Sequence, residues 1–226
     1  MIVRISPVLD AKHLSTLEEL LRAAPWEDGR ATAGYQSAQV KQNLQIAQNA
    51  PVARQAGELL VRALERNALF VSAALPRHLY PPLFNRYEPG MGFGAHVDNA
   101  LRQVPGTHHR LRMDISATLF LSAPEDYEGG ELVIDDTYGT HAVKLAAGDM
   151  VIYPASSVHR VQPVTRGVRL AAFFWVQSMV RDDGARGLLF ELDTSIRTLT
   201  ETGADQDSLV RLTACYHNLL RRWAEL

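Results

Sequence analysis

From Phe70 to Ser178 the chain contains no helical pattern of useful length, and this restricts its fold more than any other feature. Short β-rich runs, "LFVSAAL", "DISATLFL", "GGELVID", "DMVIYP" and "VRLAAFFWV", are separated by Gly, Pro and Asp turn signals. Such a succession argues for an antiparallel all-β core, either a sandwich or a jelly-roll barrel.

Helical patterns flank this region. Asp10 is placed to cap a segment in which Leu14, Leu17, Leu20 and Leu21 recur at helical spacing. A second helical region is expected from Ala38 to Asn67, with Leu44, Leu59, Leu60 and Leu64 as core contacts; Pro51 breaks or kinks it, so two helices fit as well as one. After Gln177 the pattern returns in "GARGLLFELDTSIRTLTE" and "SLVRLTACYHNLLRRWAEL", the latter with Leu209, Leu212, Tyr216, Leu219, Leu220 and Trp223 on one face. That face is expected to pack on the chain's own core, with a homo-oligomer through the C-terminal helices as the alternative. The expected class is α+β with a mainly β core. The divisions are an N-terminal helical flank (1–77), a β core (78–178) and a C-terminal helical extension (179–226).

The 226 residues suit one large domain with helical additions, and 46% hydrophobic content allows a sizeable core. A net charge of −2 offers no general basis for binding nucleic acid or a membrane. No stretch approaches the ~18 to 20 apolar residues of a membrane span. Cys215 is the only cysteine, so no intrachain disulfide forms, which fits a reducing compartment. The first twenty residues lack an apolar run of signal-peptide length, and a cytoplasmic protein is the expectation.

Within the β region, "GFGAHVDNA" places His96 and Asp98 two apart. On a strand such residues share a face and can direct an imidazole nitrogen and a carboxylate oxygen toward one ion. Alone, the pair is as well explained by a strand edge. Of the remaining histidines, His159 stands out: it follows the strand "GDMVIYP" and the small-residue turn "ASSV" and opens a short strand. Ten residues on, Arg169 heads "RLAAFFWV", where alternation puts Arg169, Ala171, Phe173 and Trp175 on one face. A charge there is costly to bury without an anionic partner. It pairs with a structural carboxylate, sits at a solvated strand end, or clamps the carboxylate of a bound ligand. Two histidines and one carboxylate on one side of a metal leave open positions, the arrangement associated with non-heme Fe(II) oxygenases. The loop from Ala100 to Arg112 carries Arg102, His108, His109, Arg110 and Arg112; it is either solvated or a lid for an anionic or polar substrate.

The stretches "NRYEPGMGFGAHVDNA", "DISATLFLS", "YEGGELVI" and "LAAGDMVIYPASSVHRVQPVTRGVRLAAFFWVQS" resemble the Fe(II)/2-oxoglutarate-dependent dioxygenases of the prolyl/lysyl hydroxylase type, and closely the bacterial PKHD-type hydroxylases associated with iron uptake. The resemblance covers roughly residues 78–178 and extends into both helical flanks. It implies a double-stranded β-helix, the jelly roll. It implies His96, Asp98 and His159 as iron ligands and catalytic residues, and Arg169 as the partner of the distal carboxylate of 2-oxoglutarate. Tyr87 falls near a co-substrate-contacting tyrosine, a match no stronger than a core aromatic with a satisfied hydroxyl. Phe120 stands where some eukaryotic relatives have a tyrosine.

The implied activity is hydroxylation of a small-molecule or peptidyl substrate by Fe(2+), 2-oxoglutarate and dioxygen, releasing succinate and carbon dioxide, with L-ascorbate keeping the iron reduced. A non-catalytic iron or 2-oxoglutarate sensor, or a cupin-like metal protein, would use the same residues.

Overall fold

The computed structural model describes residues 1–226 except residue 138. Two antiparallel sheets face each other. The larger runs, edge to edge, Val3–Ile5, Met150–Pro154, Ile115–Phe120, Arg169–Ser178, Leu83–Tyr87, Leu44–Ile46 and Trp26–Asp28, and Pro76–Leu79 pairs with the far end of Arg169–Ser178. The smaller runs Gly139–Val143, Leu132–Asp136, His159–Val161, Gly92–His96 and Lys41–Gln42. The sandwich is a jelly roll that does not close into a barrel.

Alternation along the central strands produces two different interiors. Ile115, Ala117 and Leu119, with Ala172, Phe174 and Val176, face outward into a core shared with the helices Ala11–Arg22, Pro51–Glu65 and Ala68–Ala74. Burying each large side chain there contributes about 1.5 to 3 kcal/mol. The opposite faces, with Tyr87, Phe120, Val151 and Tyr153 from the larger sheet, meet Leu132, Ile134, Val143 and Val161 from the smaller. The polar and charged inward positions lie between the sheets beside this second cluster.

Two further helices, Asp183–Glu201 and Gln206–Trp223, are capped by Asp182 and Asp205 and pack on one another. They bury Ala185, Leu189, Tyr216, Leu219, Leu220 and Trp223 against Leu75 and Val180. Asp193 accepts a hydrogen bond from Ser72 at 2.5 Å, tying the hairpin to the Ala68–Ala74 helix. The amphipathic C-terminal face therefore packs on its own chain. Among the described residues, no helix is long and apolar enough to cross a membrane.

Two expected elements are corrected. The helix expected from Ala38 to Asn67 begins only at Pro51; residues 41–46 form two short strands instead. Lys41, Asn43 and Gln45 are buried at period two, with their polar side chains turned inward. That inverts the usual pattern, and the good helix formers around them lose to tertiary pairing. The run "LFVSAAL" is a helix rather than a strand: Phe70, Ala73 and Ala74 are buried at i, i+3 and i+4, Asn67 caps the start, and Leu75 ends it in a left-handed conformation. Short apolar runs carry little periodicity to separate the two.

Candidate functional site

The strand Gly92–His96 lies beside His159–Val161 with His96 directly opposite His159. Asp98 follows the strand end, and one donor atom from each of His96, Asp98 and His159 lies within 4.8 Å of the others. The approach is tight. A Cβ on Gly94 would sit 2.8 Å from Cβ of Val40, so only glycine lets the strand pass here.

Both imidazoles are oriented by the backbone two residues earlier. Nδ1 of His96 lies 2.8 Å from the Gly94 carbonyl, and Nδ1 of His159 lies 3.0 Å from that of Ser157. A carbonyl only accepts, so Nδ1 carries the proton and Nε2 presents its lone pair to the cleft. Burial, then the neighbouring His159, holds His96 down to about 4, which keeps it a neutral donor at ordinary pH. Asp98 accepts a 2.6 Å hydrogen bond from Ser116 Oγ, and its Oδ2 lies 3.7 Å from His159 Nε2. Oriented first donors with hydrogen-bonded support are what a metal site requires. Two imidazole nitrogens and one carboxylate oxygen fit an Fe(II) ion with open coordination positions. The other six histidines, at 13, 78, 108, 109, 141 and 217, are exposed and stand outside this cluster.

Arg169 is not at a solvated strand end, and among the described residues no carboxylate pairs with it. It is 1% exposed, its Cζ lies 5.3 Å from the rings of both Tyr87 and Phe120, and Nε and Nη1 have no hydrogen-bond partner. Tyr87 is opposite it on the neighbouring strand. Burial pushes the Tyr87 hydroxyl above its ordinary range, so it remains a phenol that can donate. The Tyr127 hydroxyl, also buried and unpartnered, lies in the same neighbourhood: a Cβ on Gly130 would meet both Arg169 and Tyr127 at 3.0 Å. Asn85 Oδ1 and both polar atoms of Asn43 are likewise unpartnered at the cleft. Buried polar atoms left this way cost on the order of 1 to 3 kcal/mol each until something bonds to them. A small dicarboxylate is chemically suited to do so.

The cleft also holds residues that sequence reasoning passed over. Lys41 and Asn43 line it from within the expected helix. Tyr127, beside Arg169, stood in the quoted "YEGGELVI" without a role. Arg102 was only one of several charges in a loop; residues 101–112 instead form a hairpin, Leu101–Gln103 with Arg110–Arg112. Its Arg102 turns into the cleft, while His108 and His109 stay exposed. The inward polar alternation at 41, 43 and 45 was the one available signal.

Known proteins share this chain's sequence and fold. Residues 82–177 match the 2OG-Fe(II) oxygenase superfamily, and residues 183–225 match the PKHD-type hydroxylase C-terminal domain. A PKHD-type hydroxylase of Burkholderia ambifaria (strain MC40-6) is 59% identical over the full length of both chains. Among solved structures, a prolyl-4-hydroxylase of Pseudomonas putida shares the fold with TM-score 0.52 and 23% identity, covering 78% of this chain and 92% of its own. The protein HygX of Streptomyces hygroscopicus, solved with nickel and 2-oxoglutarate bound, does so with TM-score 0.54 and 14% identity, over 78% and 82%.

Proposed function

The chain belongs to the PKHD-type hydroxylases of the 2OG-Fe(II) oxygenase superfamily, and from that premise we propose that His96, Asp98 and His159 hold the ferrous ion and Arg169 anchors 2-oxoglutarate. The family makes it an iron- and 2-oxoglutarate-dependent oxidoreductase. The observation that carries the residue assignment is the convergence of one nitrogen from each imidazole and one carboxylate oxygen within 4.8 Å, at a cleft that also contains a buried arginine whose Nε and Nη1 have no partner among the described residues.

With both bound, iron and 2-oxoglutarate supply the oxidising power to insert a hydroxyl group from dioxygen, the co-substrate leaving as succinate and carbon dioxide. The chain's own residues bind and orient. The Gly94 and Ser157 carbonyls fix the imidazole tautomers, and Ser116 fixes the Asp98 carboxylate. Arg169 offers a planar guanidinium to the distal carboxylate, with Tyr87 and Tyr127 as hydroxyl donors beside it. Tyr153, Phe120 and the surrounding apolar side chains keep water from the deep end of the cleft.

Anaerobic addition of Fe(II) and 2-oxoglutarate is expected to produce a metal-to-ligand charge-transfer absorption band. His96→Ala, Asp98→Ala and His159→Ala should abolish it, and full iron binding by all three would sink the assignment. Arg169→Ala removes one charge-assisted partner, so the 2-oxoglutarate concentration giving half the band should rise about 10- to 100-fold. Succinate formed in step with oxidised product completes the test.

A further inference from the structure

The deep end of the cleft accounts for Arg169 but not for two further cations at its other end. Lys41 is 4% exposed, and its Nζ lies 5.3 Å from the Phe93 ring and 5.9 Å from that of Phe173. The Arg102 guanidinium lies 4.3 Å from the Trp175 ring and 5.2 Å from that of Tyr80. The two converge on one residue: Lys41 Nζ donates to Thr32 Oγ1 at 3.0 Å, and Arg102 Nη2 donates to Thr32 O at 3.2 Å.

Neither has a carboxylate within ion-pair distance among the described residues. The nearby acids are already engaged: Asp98 with Ser116, and Asp28 with Arg30. Two like charges brought together at a partly enclosed cleft repel, and burial penalises Lys41 further. Consistent with this, burial and then Arg102 hold Lys41 down to about 8. An arrangement of this kind is complete only when an anion joins it.

2-Oxoglutarate is not that anion if Arg169 holds its far end. Arg169 and Trp175 lie on the same face of one strand six positions apart, about 20 Å at ordinary strand rise. Ser116, which supports Asp98, is opposite Trp175. A short dicarboxylate running from Arg169 to the His-Asp-His cluster therefore ends before Arg102. What lies beyond the cluster is the place of the molecule to be oxidised.

Resting on the iron and 2-oxoglutarate reading above, we infer that the substrate carries an oxyanion, a carboxylate or a phosphate, which Lys41 and Arg102 grip jointly across Thr32. The aromatic walls of Phe93, Phe173 and Trp175 contact the carbon skeleton beside it, and the reactive carbon is presented toward the metal.

The test uses protein loaded with Fe(II) and saturating 2-oxoglutarate under nitrogen, which occupies Arg169. It is titrated with benzoate, inorganic phosphate and the neutral benzamide, with calorimetry and Trp fluorescence reporting binding and the charge-transfer band recorded in the same samples. Benzoate or phosphate should bind and benzamide should not, the stronger of the two identifying the oxyanion. Lys41→Met and Arg102→Gln should each weaken that binding about tenfold or more while the band persists. If Lys41→Met fails to fold, Arg102→Gln on the hairpin carries the comparison alone. Failure of either anion to outbind benzamide, or wild-type affinity in the variants, overturns the inference. Absence of the band in the wild type, with anion binding still dependent on the pair, would defeat the iron reading and leave the cation pair as an anion site.

Discussion

Ser116 shows how much of this site depends on residues that touch no ligand. The residue is 2% exposed, and its hydroxyl donates to Asp98 Oδ2. Ser116→Ala should reduce iron affinity about 10- to 100-fold with the fold intact, measured by competition with a chromogenic chelator. Lys41 makes a different prediction. Its folded value of about 8 lies below the ordinary 10.5, so the native chain binds fewer protons than the unfolded chain between those pH values. The lysine opposes stability below pH 8, and that opposition disappears as pH rises toward 10.5. Arg102 from the hairpin, Asp98 beyond the His96 strand, Asp28 from Trp26–Asp28 and the neutral His96 are the charged or titratable groups whose fields reach it. A bound oxyanion favours the protonated form, so binding near pH 9 should take up a proton. Calorimetry in two buffers of different ionisation enthalpy measures it; no uptake would contradict the role given to Lys41. His96, Asp98, His159 and Arg169 were legible in the sequence because their order and spacing are distinctive. Lys41 and Arg102 were not, since a buried cation and a solvated one look alike in a string of letters.

At the scale of elements, the strand Gly92–His96 acts as a gauge. Gly94 passes against Val40, and its carbonyl holds His96 Nδ1. Gly94→Ala should push the strand away and lower iron affinity about tenfold or more. Gly187→Ala, where an added Cβ meets nothing within 4 Å, should leave the affinity unchanged. The central strands were readable because "DISATLFL" and "VRLAAFFWV" are long enough to show β character. The Ala68–Ala74 helix was not, being a single short apolar run whose cap at Asn67 was the only clue. Residues 41–46 misled for the opposite reason: their buried alternation, Lys41, Asn43 and Gln45, is polar, so hydrophobic periodicity had little to report.

Beside the two interiors flanking the larger sheet, the C-terminal hairpin packs on the same structure through a cluster of its own. Leu189 is 1% exposed in a cluster with Leu75 and Val180, which bracket the Pro76–Leu79 strand and the end of Arg169–Ser178. Leu189→Ala should cost about 2 to 5 kcal/mol and lower the melting temperature by several degrees. A single transition seen by both circular dichroism and Trp fluorescence is expected, with the charge-transfer band at 25 °C unchanged; two separated transitions would mark the hairpin as an independent unit. That the C-terminal helices would return was plain from their spacing. Where they dock depends on contacts distant in sequence.

The six residues from Lys41 to Ile46 pair with the smaller sheet through Lys41 and Gln42, and with the larger through Leu44 and Gln45. They precede the stretch matched by the oxygenase superfamily, which begins at residue 82. Oxidising power and molecular taste thus have partly separate addresses along the chain. Exchanging Lys41 between relatives, together with the hairpin that carries Arg102 and with Asn43 kept in place, offers a route to retargeting the catalyst.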